Sequence, residues 1–146
     1  MPTARRSRTI AAPAEELWDV ISDPHHLPRW WPRVTRVEDV EDRAFTEVMR
    51  TRKGKLVRAD FRVATCDEAE WTLVWEQLLA GTPFARVLRS AETEVRLQAG
   101  SAQATEVTIE LRQVLNGVSR FGGYMMRRAA RSTVGEALDG LERIGD

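Results

Sequence analysis

The sequence predicts an α+β fold that encloses a cavity, and three observations predict it. A strand end, a short helix and a Trp-rich turn follow one another without a gap from Ile10 to Pro32 (IAAPAEELWDVISDPHHLPRWWP). Roughly seventy residues of period-two pattern come next, as expected of strands with one buried face. The chain then closes with one long helix whose apolar stripe is built largely from small side chains. At 146 residues the chain fits one domain, residues 1–146, large enough to bury a core without staples.

The elements follow in order. Arg5 to Ala11 reads as the first strand, and Pro13 suits the first turn of a helix in which Glu15 and Glu16 favour the positive end of the dipole. Leu17, Trp18 and Ile21 share one face of that helix. It stops at Asp23-Pro24, because a residue before proline is pushed out of the α region. Pro24, Pro28 and Pro32 leave room for a single further turn, which presents Leu27, Trp30 and Trp31 together as a lid or wedge rather than as a core helix.

From Val34 the pattern changes to alternation, with a charged turn at Glu41 to Arg43. Phe45 to Arg52 and Leu56 to Thr65 flank the Lys53-Gly54 turn. In the second of these strands Val57, Ala59, Phe61, Val63 and Thr65 face inward. Trp71, Leu73, Trp75, Gln77 and Leu79 form one face of the next strand, which Gly81-Thr82-Pro83 breaks. Val87 to Ala99 and Ala104 to Leu115 make the last pair, with Val95 and Leu97 facing Val107, Ile109 and Leu111. The final helix is expected from Ser119 to Ile144, with a stripe of Gly122, Met126, Ala129, Ala130, Thr133, Ala137, Leu141 and Ile144. Gly122-Gly123 on a helix implies either close backbone approach or room for a ligand.

Lys plus Arg and Asp plus Glu number 22 each, so no global field draws the chain onto nucleic acid or an anionic membrane. The single Cys66 excludes an intramolecular disulfide and a multi-cysteine metal site, and neither a leader peptide nor an apolar run long enough to span a membrane is visible. A cytoplasmic protein is the expectation, a monomer or a homodimer.

Read in sequence, the Ala12-Pro13-Ala14 helix start, Leu17-Trp18-Asp19-Val20-Ile21, Asp23-Pro24, Leu27-Pro28-Arg29-Trp30-Trp31-Pro32, the Thr82-Pro83-Phe84 break and the terminal helix carry a resemblance. The chain resembles the START-like (helix-grip, SRPBCC) superfamily, in particular its polyketide cyclase/dehydrase and lipid-transport branch, from Arg5 to Ile144. The resemblance implies a curved antiparallel sheet of about seven strands wrapped around the C-terminal helix. It also implies two short helices between strands one and two, and a deep pocket between sheet and helix. Members of the superfamily bind lipids, sterols, polyketides or plant hormones, and some cyclise and dehydrate poly-β-keto chains. The aromatase/cyclases resemble one another in a pocket of Arg, Tyr and hydroxyl groups; here the arginines fall mainly outward and Tyr124 is the only tyrosine.

Binding or carriage of a hydrophobic small molecule is therefore the first expectation, with no cofactor and no metal. An aromatase/cyclase-type enzyme is the alternative, and a co-chaperone-like interaction domain a third. The expected ligand-binding residues are Trp30, Trp31, Phe61, Trp75, Gln77, Thr93, Gln113, Gly122, Met126 and Ala130. The indoles, Trp71 among them, offer rigid contact area for an aromatic ligand, or simply core. Thr65, Gln77, Thr93 and Gln113 are the inward polar groups, which orient a ligand or bond one another and water. Glu47 and Glu76 are the carboxylates expected near the cavity mouth, where burial raises a pKa and allows acid/base work. An enzymatic reading would use Gln77, Gln113, Tyr124 or Glu76. His25-His26 reads as a surface turn and Cys66 as an inert thiol. Arg120, Arg127, Arg128 and Arg131 form either a solvated helix face or a contact for an anionic lipid surface or a partner protein.

Overall fold

In the computed structural model, which describes residues 3–51, 53–117 and 120–145, one seven-stranded antiparallel sheet carries strand order β1-β7-β6-β5-β4-β3-β2. The strands are β1 (Thr3–Ile10), β2 (Val34–Glu38), β3 (Ala44–Arg50), β4 (Leu56–Asp67), β5 (Thr72–Gln77), β6 (Leu88–Ser101) and β7 (Ala104–Leu115). Helices α1 (Ala14–Ile21) and α2 (Leu27–Trp30), the latter fused to a 3-10 turn at Pro24–His26, lie between β1 and β2, and α3 (Arg120–Gly145) follows β7. The predicted helix start at Ser119 and strand end at Arg52 lie outside the described residues, as does the side chain of Arg120.

Pro13 takes the N-cap of α1, and Ala14, Leu17, Trp18 and Ile21 form its buried face. Asp23 caps the 3-10 turn by accepting from the His25 N–H at 3.0 Å. The following turn is a wedge and part of the core, because Leu27 and Trp30 are each only 2 % exposed. Gly140 of α3 makes this seating possible. A Cβ there would fall 2.7 Å from the Trp30 Cα and 2.9 Å from its carbonyl carbon, so only glycine lets the α2 backbone lie directly on α3.

The buried stripe of α3 differs from the predicted one. Val134, Ala137, Leu138 and Leu141 are fully buried and Ala130 nearly so, whereas Ala129 is exposed. Val134 and Leu138 continue the three- and four-residue spacing that Ala130 begins, and their bulk makes the C-terminal half of α3 the anchoring half. Its N-terminal half carries Tyr124 and Met125 outward.

Residues paired across the ladder share a face, so the register defines the concave side. Val63 pairs with Trp75, Trp75 with Thr93 and Thr93 with Leu111. Phe45 pairs with Phe61 and Phe61 with Gln77. Thr65 departs from its predicted inward position. The register shifts between Val63 and Thr65, which then pairs with Val74, and the extra residue moves Thr65 to the convex face. There it lines a polar groove with Arg5, Asp67, Thr72 and Arg96. Trp71 stands just before β5 at φ 46° and packs, partly buried, against the main core.

Candidate functional site

Two apolar clusters occupy the concave side. The larger joins Trp30, Trp31, Trp75, Phe45, Val95, Ile109, Val134 and Leu138, and the smaller joins Leu79, Leu88 and Ala91 to Phe84, Leu115 and Met126. On three neighbouring strands the residue between the clusters is polar: Gln77 separates Trp75 from Leu79, Thr93 separates Val95 from Ala91, and Gln113 separates Leu111 from Leu115. A polar belt thus separates the two apolar clusters, and Met126 and Ala130 of α3 contribute to those clusters. Alternation alone puts these side chains inward, because each lies two residues from a core residue.

Glu47 adds a polar group to the same face on β3, separated from the belt by the apolar inward residues Ala59 and Phe61 of β4. It lies between Phe45 and Met49 on the inward parity, pairs with Ala59, and is 2 % exposed. Burial alone pushes its carboxyl up to about 8. Among the described residues no cation pairs with it and no hydrogen bond reaches it, so at neutral pH Glu47 is mainly the neutral acid, a hydrogen-bond donor in apolar surroundings. Two other buried polar atoms lack a protein partner, the Trp30 indole Nε1 and the Gln113 Oε1. Native interiors pair almost all such atoms, so an unpaired donor and an unpaired acceptor in a core that also holds a neutral acid mark a place equipped for something other than packing.

The indoles form one wall. Ring centroids lie 5.4 Å apart for Trp30 and Trp31, 5.5 Å for Trp31 and Trp75 and 6.3 Å for Trp30 and Trp75, all edge to face. Phe45 and Phe61 stack at 5.4 Å beside them. Trp31 also reaches an apolar-lined pocket of about 330 Å³, formed with Met49 and Val57 of the β3–β4 hairpin, Phe84 and Thr133 of α3. Met49, on its wall, is two residues along β3 from Glu47, or about 7 Å at strand rise. A second cleft of about 550 Å³ lies where β5 and β6 diverge beyond their last pair, with Gln77 and Ala91 on its walls.

The structure therefore brings Trp30, Trp31, Phe61, Trp75, Gln77, Thr93, Gln113, Met126 and Ala130 to the concave side or its helix cover, and places Gly122, partly buried, at the start of α3. Glu76 is elsewhere. It sits on the convex face, where the Arg62 Nε donates to it at 2.8 Å, because its parity is opposite to that of Trp75 and Gln77. Tyr124 is 57 % exposed and points away from the belt. His25 and His26 stay at the surface beside Asp23, and Cys66 is exposed on the outer end of β4. Glu47 lies deeper than the cavity mouth predicted for it. Its signal was available in the alternation of Phe45, Glu47 and Met49, whereas nothing local singled out Gly140.

The family model for polyketide cyclase / dehydrase and lipid transport matches residues 1–144. The chain belongs to this family. Solved structures share its fold: the di-domain ARO/CYC BexL from the BE-7585A biosynthetic pathway superposes with a TM-score of 0.83 at 19 % identity, over 98 % of this chain and 46 % of that one. A START superfamily protein from Mycobacterium smegmatis gives 0.77 at 15 % identity, over 96 % and 94 % of the two chains. The Zhui aromatase/cyclase from Streptomyces sp. R1128 gives 0.70 at 16 % identity, over 98 % and 90 %. No curated protein sequence matches the chain. At such identities the likeness extends to the helix-grip, START-like fold, while activity within the polyketide cyclase/dehydrase and lipid-transport family rests on the site itself. No described helix is long and apolar enough to cross a membrane.

Proposed function

We propose that this protein binds a hydrophobic small molecule, a lipid, a polyketide or another aromatic or polycyclic compound, between the concave face of the sheet and α3. The observation that carries the reading is the set of unpartnered polar groups on that face. Gln113 holds a buried oxygen without a protein partner, and Glu47, 2 % exposed, has no hydrogen bond or ion pair among the described residues, on a face lined largely by apolar side chains. Each such group costs about 1–3 kcal/mol, so a surface needed only for packing would hold apolar residues there. A ligand that accepts from the Glu47 acid and donates to Gln113 offsets that cost and is oriented by it. Burying ~400 Å² of apolar ligand surface supplies roughly 10 kcal/mol gross before the entropic costs of binding, which suffices for micromolar affinity.

Native mass spectrometry of freshly purified protein, with extraction of anything retained, tests the reading directly. A stoichiometric apolar adduct is expected, and Thr133→Phe, which narrows the pocket beside Trp31 and Met49, should lower its occupancy at least about tenfold with the melting temperature preserved. A protein that purifies empty and binds no apolar compound in a screen followed by Trp fluorescence would refute it.

A second reading, an aromatase/cyclase-type enzyme, is favoured by one observation, the neutral acid Glu47. An acid with a pKa near the working pH is suited to give its proton to a carbonyl oxygen of a bound poly-β-keto chain as the chain's own enol carbon adds to that carbonyl to form an alcohol, the enol O–H proton restoring the acid. Glu76, paired to Arg62, and Tyr124, at the surface, do not support that role. Single-turnover assays on a polyketide substrate distinguish the two: Glu47→Gln should abolish product and keep binding if Glu47 is the acid, and absence of product above background from the unaltered protein removes the enzymatic reading.

A further inference from the structure

Three segments that meet at one end of the molecule contain no carboxylate at all. Residues 49–57, 78–90 and 114–133 hold ten of the 22 basic residues and none of the 22 acidic ones, in a chain whose net charge is zero. They converge around the 330 Å³ pocket, whose wall includes Arg50, Val57, Phe84 and Thr133. Asn116 links two of them, through its N–H to the Val87 carbonyl at 2.8 Å and its Nδ2 to the Ala85 carbonyl at 3.3 Å. Arg50, Lys53, Lys55, Arg86, Arg89, Arg127, Arg128 and Arg131 are all exposed there, and among the described residues none of them forms an ion pair. Of the twelve basic residues elsewhere, eight pair with a carboxylate, among them Arg8 with Asp139 and Glu142, Arg58 with Glu38, Arg62 with Glu76, and Arg112 with Glu92, Glu94 and Glu110.

The same three segments carry every large apolar side chain that is exposed among the described residues. Leu56, Leu78, Val87, Tyr124 and Met125 are each between 42 % and 57 % accessible. They are interspersed in sequence with the cations, Leu56 next to Lys55, Val87 between Arg86 and Arg89, and Tyr124 and Met125 just before Arg127 and Arg128. Apolar tips among unpaired Arg and Lys suit the headgroup region of an anionic bilayer, where tips enter the acyl boundary and cations meet phosphates. A protein partner would be better met by a continuous apolar core with a polar rim.

We infer that this end of the molecule, around the mouth of the pocket, docks on an anionic phospholipid surface. Docking there would set the apolar opening against the bilayer, so that a hydrophobic molecule could pass between membrane and pocket without crossing water. The contact would be reversible and salt-sensitive, because exposed charges are screened within about 10 Å at moderate ionic strength. Each cation contributes about fivefold to binding.

Co-sedimentation of the full chain with vesicles tests the inference. The probes are phosphatidylcholine alone and phosphatidylcholine with one third phosphatidylglycerol, each at low and high salt. Binding to the anionic vesicles, loss of most of it at high salt and little binding to neutral vesicles are expected. Arg127→Glu/Arg128→Glu/Arg131→Glu should lower it at least about tenfold. Tyr124→Ser/Met125→Ser should lower it several-fold and leave its salt dependence in place. Arg43→Glu, on an exposed turn at the opposite end of β3, should leave it unchanged; circular dichroism checks that each variant is folded. No binding to anionic vesicles, equal binding to both kinds, or unchanged binding by the triple variant would overturn the proposal. Capture of a purified acidic protein with no vesicle binding would assign the face to a protein partner instead.

Discussion

Replacing Glu47 by Gln isolates the consequence of burying a carboxyl without a counterion. The side chain keeps its shape and loses its ionisation. In the folded protein the carboxyl titrates at about 8, raised from 4.5 by burial. Between those values the folded state holds a proton that the unfolded chain has released, so stability falls as pH rises, by about 1.4 kcal/mol per pH unit for one proton. Below the lower value both states are protonated and nothing is lost; above the upper value the loss is complete, roughly 5 kcal/mol in all. Urea unfolding of the two proteins at a series of pH values should thus show a gap that moves in favour of Glu47→Gln by about 2.7 kcal/mol between pH 5.5 and pH 7.5. Other titrating groups are common to both proteins and cancel in the difference. Parallel profiles would mean that Glu47 ionises freely in the folded state, and would remove both its neutral-acid role and the argument for an acid on the concave face.

Gly140→Ala should destabilise by more than about 2 kcal/mol in urea unfolding, although Gly→Ala in an open helix gains about 1 kcal/mol, because the new methyl meets the Trp30 backbone. Gly135→Ala is the contrast: the added Cβ meets only the far end of Arg6, 2.5 Å from its Nη1, which can swing aside, so stability should be kept or gained. Thr105→Val removes the buried hydroxyl that donates to the Ala12 carbonyl at 2.8 Å and should cost about 1–2 kcal/mol, read as a lower denaturation midpoint without a change in slope.

Much of the fold could be read locally. Alternation placed Gln77, Thr93 and Gln113 inward, prolines delimited the Trp30-Trp31 turn, and Gly54, at φ 82°, turned the β3–β4 hairpin where a positive φ was expected. These features depend on side-chain periodicity and backbone sterics, which act within a few residues. Thr65 and the α3 stripe were misread for a different reason. A one-residue bulge reverses inward and outward without any mark in composition, and the choice among Thr133, Val134, Ala137 and Leu138 depends on the azimuth at which the helix meets the sheet.

By itself, then, the sequence determined the strand and helix order, the inward parity of Gln77, Thr93 and Gln113 and the family likeness, since each follows from local pattern. Tertiary structure alone decided three things: how completely Glu47, inward by its alternation, is desolvated, that Gly140 must be glycine to seat Trp30, and that three acid-free segments far apart in the chain meet around one pocket. Desolvation, close approach and summed charge are properties of what surrounds a residue from every side, and those neighbours are assembled only when the sheet closes on α3.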